Sequence, residues 1–163
     1  MPRAYISLGS NIDPEMHICA CIQRLRQDFP DLICSLAYQT PAEGFAGAPF
    51  LNLTAGFTTG QSYTELKQYL RTLEDAQGRV RNGEKFSSRT LDADLLLYGD
   101  LLLPEQNLPH KDILGYAFVL YPLMEIAPAL TYPGRQQTVS ELASQSALPR
   151  HTLSPIDLDC LRQ

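Results

Sequence analysis

Two aspartates one residue apart, Asp92 and Asp94, lie in Arg89-Thr90-Leu91-Asp92-Ala93-Asp94-Leu95-Leu96-Leu97-Tyr98-Gly99, a run that reads as a β-strand. Strand side chains alternate with period two, so both carboxylates point the same way, with Cα atoms about 6.6 Å apart. Leu91, Ala93, Leu95 and Leu97 make one apolar face, and Thr90, Asp92, Asp94, Leu96 and Tyr98 make the other. Unpaired like charges on a sheet face are unfavourable, which calls for a cation between them. Mg²⁺ fits, because it takes hard oxygen ligands and usually shares them with substrate phosphates. Arg81 and Arg89 offer the forked donors that phosphates accept. The alternative is a solvated strand face with two exposed aspartates, and Asp-x-Asp alone does not choose between the two. A helix would not serve, since positions i and i+2 do not face each other there.

The elements that must position this strand follow from periodicity. Ala4 to Leu8 is a short apolar strand that ends at the turn cluster Gly9-Ser10-Asn11. Asp13-Pro14 reads as an N-cap with proline at the first helical position. Ile18, Ile22, Leu25 and Phe29 then recur at helical spacing until Pro30. Leu32, Cys34, Leu36 and Tyr38 alternate as a second strand, and Leu51, Leu53, Ala55 and Phe57 as a third, which puts Phe50 and Asn52 together on its other face. The Pro/Gly-rich stretch 40–50 between them suits a ligand-binding loop or a plain connection. Ser62-x-x-Glu65 is a capping box opening a helix with Leu66, Tyr69, Leu70, Leu73 and Ala76 inward, and Gly78 stops it. Residues 79–88 lack a period and read as a mobile basic loop that closes over phosphates. The aspartate strand comes fourth, with Leu101 to Leu103 as a possible continuation. Thr138-x-x-Glu141 opens a short helix over 139–145, and the tail from Pro149 is weakly patterned.

The order β-α-β-β-α-β is the ferredoxin-like arrangement of the α+β class: an antiparallel sheet, helices on one face, and extra C-terminal elements. The other face is then left for a ligand, and the two aspartates belong there.

With 163 residues, 44% hydrophobic and 19% charged, the chain reads as one globular domain over 1–163. A net charge of −5 argues against nucleic acid or anionic membrane as a partner. Arg71, Arg79, Arg81, Lys85 and Arg89 are nevertheless bunched, which suits a small anionic ligand. Cys19, Cys21, Cys34 and Cys160 show no Cys-x-x-Cys spacing, so zinc, a redox dithiol and a disulfide framework are not expected. There is no apolar signal core and no run of membrane-spanning length. The expectation is a monomer in a reducing cytoplasm.

In this register the chain resembles the 6-hydroxymethyl-7,8-dihydropterin pyrophosphokinase family of the folate pathway. The resemblance rests on Gly9-Ser10-Asn11, Tyr38-x-Thr40-Pro41, Phe50-Leu51-Asn52, Glu74-x-x-x-Gly78-Arg79-x-Arg81 and Arg89-Thr90-Leu91-Asp92-x-Asp94. Pro109-His110, Phe118-Val119-Leu120-x-Pro122-Leu123 and Glu125-Ile126-Ala127-Pro128 continue it, so that it spans about residues 4 to 130. It implies transfer of pyrophosphate from ATP to the pterin hydroxymethyl, with release of AMP. Arg79, Arg89, Asp92 and Asp94 match the catalytic set, the aspartates as ligands of two Mg²⁺ ions. Thr40, Glu43, Phe50, Asn52 and Phe118 match the pterin site. Glu74, Arg81, Arg89, Leu95, His110 and Lys111 match the nucleotide site, with ATP as co-substrate.

Some residues depart from the family pattern. Phe86 stands where tryptophan is frequent, Ser88 where proline is usual, and Lys111 beside the histidine where another residue is usual. Tyr116 takes the place of an arginine, and Glu105 of another arginine, which predicts a weaker nucleotide site. A non-catalytic pterin- or nucleotide-binding paralogue is the second reading. A ferredoxin-like RNA-binding module fits poorly, given the acidic charge and the lack of an aromatic RNA-binding pattern.

Overall fold

The computed structural model describes residues 1–42, 44–80 and 88–162. Its centre is strand β1 (Arg3–Ser10), which pairs antiparallel with β4 (Phe50–Thr58) on one side and β5 (Asp92–Tyr98) on the other. The sheet order is β5-β1-β4-β3-β6, where β3 is Ala37–Thr40 and β6 is Ser154–Ile156; a short β2 (Ile33–Cys34) also pairs with β4. Helices α1 (Pro14–Asp28) and α2 (Tyr63–Ala76) cover one face. Ile6, Leu8, Ile18, Ile22, Leu25, Leu53, Phe57, Leu66 and Leu91 are fully buried between helices and sheet. The ferredoxin-like expectation holds in element order and in layering.

Both capping boxes form. The Glu65 N–H donates to Ser62 Oγ at 3.1 Å and the Ser62 N–H to Glu65 Oε2 at 3.2 Å. Thr138 and Glu141 do the same at the start of α5 (Val139–Gln145). Asp13 does occupy the cap position of α1, but in a left-handed conformation and with no side-chain cap bond, so Pro14 alone makes that start. Gly78, at φ +74°, closes α2: its N–H donates to Asp75 O, and the next N–H, of Arg79, donates back to Glu74 O at 3.1 Å. Ala76, expected inward, is exposed because the helix is already ending there.

Other differences have local causes. The second strand is split in two. Thr54 N–H donates to Ser35 Oγ at 3.0 Å, so the ladder runs through a side chain at that point. The Leu36 N–H leaves the sheet for Glu125 Oε2, and Leu36 is 53% exposed. A bulge in β5 lets Tyr5 face Leu97 and Ile6 face Leu95, which skips Leu96. Leu97 therefore joins Leu96 on the second face, and Tyr98 crosses to the first. Leu101 to Leu103 form no strand beyond one bridge from Leu103 to Leu108.

The second face is not bare. Helices α3 (Asp112–Gly115), α4 (Ala117–Ile126) and α5 bury Tyr5, Leu96 and Leu97 at one end of it. The other end, with Ser7, Gly9, Asn52, Asp92 and Asp94, floors a cavity. Among the described residues no helix is long and apolar enough to cross a membrane.

The tail contains two features that its sequence did not suggest. Strand β6 adds to the edge at β3, pairing Tyr38 with Pro155. A disulfide joins Cys19 of α1 to Cys160 across 141 residues. This corrects the expectation of four thiols; the pairing depends on tertiary proximity, which spacing does not encode. Cys160→Ser is expected to lower stability in oxidising buffer by up to about 5 kcal/mol, the entropy that so long a loop removes from the unfolded chain. In excess thiol reductant the two proteins should match, and equal stability in both buffers would mean the bond does not form.

Candidate active site

Strand register assembles the site from three neighbours. Gly9 of β1 faces Asp92 on one side and Asn52 on the other, and Ser7 likewise faces Asp94 and Thr54. Asp92 and Asn52 are thus two strand spacings apart, about 9.6 Å. Gly9 between them is a close approach. A Cβ there would lie 2.8 Å from Asn52 Oδ1.

The two aspartates have different surroundings. Asp92 Oδ1 accepts from Arg79 at 3.0 Å and Oδ2 from Arg89 at 2.9 Å. Arg79 also donates to Glu74 Oε2 at 2.8 Å and to Leu91 O, and the same Glu74 oxygen takes the Ala93 N–H. The helix-ending turn at Gly78 thus aims Arg79 across the strand entry. Asn11 pins the other arginine, since its Oδ1 accepts the Arg89 N–H at 2.7 Å and its own N–H donates to Arg89 O.

Asp94 instead meets Asp112 and His110. One ligand atom from each of the three lies within 4.8 Å of the other two. Burial first, then the Asp92, Glu74 and Asp112 carboxylates, push the Asp94 carboxyl up to about 8, with Arg89 pulling partly the other way. A half-buried carboxyl among carboxylates suits a hard divalent cation, and these oxygen donors are of the kind Mg²⁺ takes. The His110 ring is lowered in pKa, chiefly by burial. Its Nδ1 accepts the Asp112 N–H at 3.1 Å, which leaves the proton on Nε2 as a neutral donor. Sequence reasoning passed over Asp112. The signal was a carboxylate two residues after His110, but its meeting with Asp94 depends on how the 99–111 connection returns to the sheet.

Two cavities meet at this point. The first, about 600 Å³, is lined by rings (Phe45, Phe50, Tyr116, Phe118) together with Thr40 and Asn52. Asn52 is buried, and its Nδ2 donates to Thr40 Oγ1 at 2.7 Å. The second, about 420 Å³, is lined by Lys67, Arg71 and Glu74 of α2 and by Leu95. Asp94, His110 and Asn107 border both.

Of the sequence-predicted site residues, Thr40, Phe50, Asn52, Arg89, Asp92, Asp94, His110, Lys111 and Phe118 come together around the first cavity, and Glu74 and Leu95 around the second. Arg79 lies behind Asp92. Glu43, Arg81 and Phe86 fall outside the described residues, as does most of the 79–88 loop. Glu105 is exposed on a short 3-10 turn, and Tyr116 stacks on Phe118 in the first cavity.

A family model described as 7,8-dihydro-6-hydroxymethylpterin-pyrophosphokinase (HPPK) matches residues 5–128. The 2-amino-4-hydroxy-6-hydroxymethyldihydropteridine pyrophosphokinase of Pseudomonas aeruginosa is 36% identical over 87% of this chain and 91% of its own length. The protein of the same name from Haemophilus influenzae is 35% identical, over 90% and 94%. A Plasmodium falciparum HPPK-DHPS crystal structure with SDX-DHP superposes with a TM-score of 0.63 over 89% of this chain. At 12% identity that likeness speaks for the fold alone, and this chain spans 43% of that longer one. With a family model matching most of its length and relatives above 30% identity over most of both chains, the chain belongs to the HPPK family and is an ATP-dependent pyrophosphokinase of folate biosynthesis.

Proposed function

We propose that the two cavities divide the substrates, with 6-hydroxymethyl-7,8-dihydropterin in the ring-walled one and ATP in the cationic one. The observation that carries this reading is the border they share at Asp94 and His110. The pterin hydroxymethyl oxygen forms a bond to the β-phosphorus, the bond from that phosphorus to the α-bridging oxygen breaks, and AMP leaves as the hydroxyl proton is released. In-line transfer of this kind needs alignment and charge neutralisation more than covalent help.

The pterin lies between Phe50 and Phe118 with its polar edge on Asn52 and with Thr40 beside it; Glu43 is assigned to the same substrate on the family resemblance alone. Thr40 holds the Asn52 amide in place. The nucleotide lies over Glu74 and Leu95, its phosphates within reach of Arg79, Arg89 and Lys111; Arg81 is assigned to it on the family resemblance alone. His110 gives a neutral Nε2–H to a phosphate oxygen. Asp92 and Asp94 would hold two Mg²⁺ ions, which supply neutralisation of the triphosphate when bound. We take the whole chain, 1–163, as one monomeric domain without nucleic-acid or membrane partners, working in the cytoplasm. In reducing surroundings the Cys19–Cys160 pair would be held as two thiols, and the bridge would close only in an oxidising medium.

Separate cavities mean simultaneous occupancy. In calorimetry, protein saturated with Mg²⁺ and a non-hydrolysable ATP analogue should still bind one equivalent of hydroxymethyl-dihydropterin. Mutual exclusion of the two ligands would overturn the division.

A further inference from the structure

We infer that Tyr116 is a positioning residue for the heteroaromatic substrate: it backs Phe118 and holds that ring as a wall of the first cavity. The inference rests on the proposed placement of the pterin. The Tyr116 and Phe118 rings are stacked, with centroids 5.0 Å apart and planes 26° from parallel. Both line the first cavity and neither lines the second.

The backbone explains why the pair is fixed. The Tyr116 N–H donates to Asp112 O at 3.0 Å, which closes α3, and its carbonyl accepts from Val119 and Leu120 at 3.1 Å each, which opens α4. Tyr116 is therefore the hinge residue between two helices, clamped on both sides, and its extended backbone lays its ring against that of Phe118. The cavity has a second ring pair of different geometry: Phe45 meets Phe50 edge to face, with centroids 6.3 Å apart and planes at 87°. Each ring assigned to the pterin thus has a second ring packed against it. A half-buried phenylalanine at a cavity mouth would otherwise sample several rotamers, and its ordering would be charged against ligand binding.

On this account the tyrosine, which stands where the sequence comparison expects a cation for the nucleotide, serves the other substrate. An aromatic pair is worth about two- to twelve-fold in an equilibrium constant. Tyr116→Ala and Tyr116→Leu should both raise the dissociation constant and KM for hydroxymethyl-dihydropterin at least threefold. Both should leave kcat and the affinity for the Mg²⁺–ATP analogue within twofold, and Tyr116→Phe should restore wild-type values. The leucine variant keeps bulk without a ring, so it carries the test if the alanine protein does not fold. Wild-type pterin affinity in the leucine variant, or weakening of the nucleotide alone, would overturn the inference while leaving the pterin placement intact. Failure of the wild-type protein to bind the pterin would overturn the placement itself.

Discussion

Asp94→Asn is expected to lower kcat by a hundred- to a thousandfold, on the order of what is lost when a preorganised charge-stabilising group is removed from a site. The fold should survive, and the metal-free protein should even gain stability near neutral pH. Partial burial of Asp94, and then the Asp92, Glu74 and Asp112 carboxylates around it, raise its pKa from the ordinary carboxylate value to about 8. The sign follows from proton counting. Between about pH 4 and the raised value the folded protein binds a proton that the unfolded chain has already released, so stability falls as pH rises through this window. An amide does not ionise and carries no such slope. The measurement is thermal unfolding without metal across pH 4 to 8, beside turnover with Mg²⁺ and ATP. A variant with near-normal turnover would remove Asp94 from the chemistry. A variant with the wild-type pH slope would mean that another group titrates there.

Asn52→Ala should weaken hydroxymethyl-dihydropterin binding by about five- to a hundredfold, because a buried polar edge left unpaired costs about 1–3 kcal/mol. Affinity for the ATP analogue should change less than twofold. The reasons are geometric. Asn52 is 4% exposed, its amide is fixed by Thr40, and it lies on the far side of Gly9 from Asp92, away from the cationic cavity. Some stability should be lost as well, since the Thr40 hydroxyl loses its partner. Calorimetry with each ligand decides the matter, and equal weakening of both would show that Asn52 does not face the pterin.

The parts of this site that could be read in the sequence are those governed by short-range rules. Period two placed Asp92 with Asp94 and Phe50 with Asn52, and each pair does share a face of the sheet. Capping chemistry located α2 and α5, and Gly78 marked the turn that aims Arg79. What escaped depends on partners distant in sequence. The bulge at Leu96 exists only in the pairing with β1, so alternation alone put Leu97 on the wrong face. The role of Asp112 depends on how the connection after β5 folds back to bring it near Asp94. The short strand at Ser154–Ile156 contains a proline and, among the described residues, pairs with β3 alone, so propensity gives it little signal. The difference between Asp92 and Asp94 was also invisible, since two identical residues on one strand face acquire distinct surroundings from Arg79 and Arg89 on one side and Asp112 on the other.

On the proposed placement, a pyrophosphoryl group passes between ligands that meet beside Asp94. Phosphorus NMR of the products tests this transfer most directly, using wild-type protein with Mg²⁺, ATP and 6-hydroxymethyl-7,8-dihydropterin. AMP and a pterin diphosphate should appear in equal amounts, with neither formed when the pterin is omitted. ADP with a pterin monophosphate, or ATP left intact although both ligands bind, would contradict it.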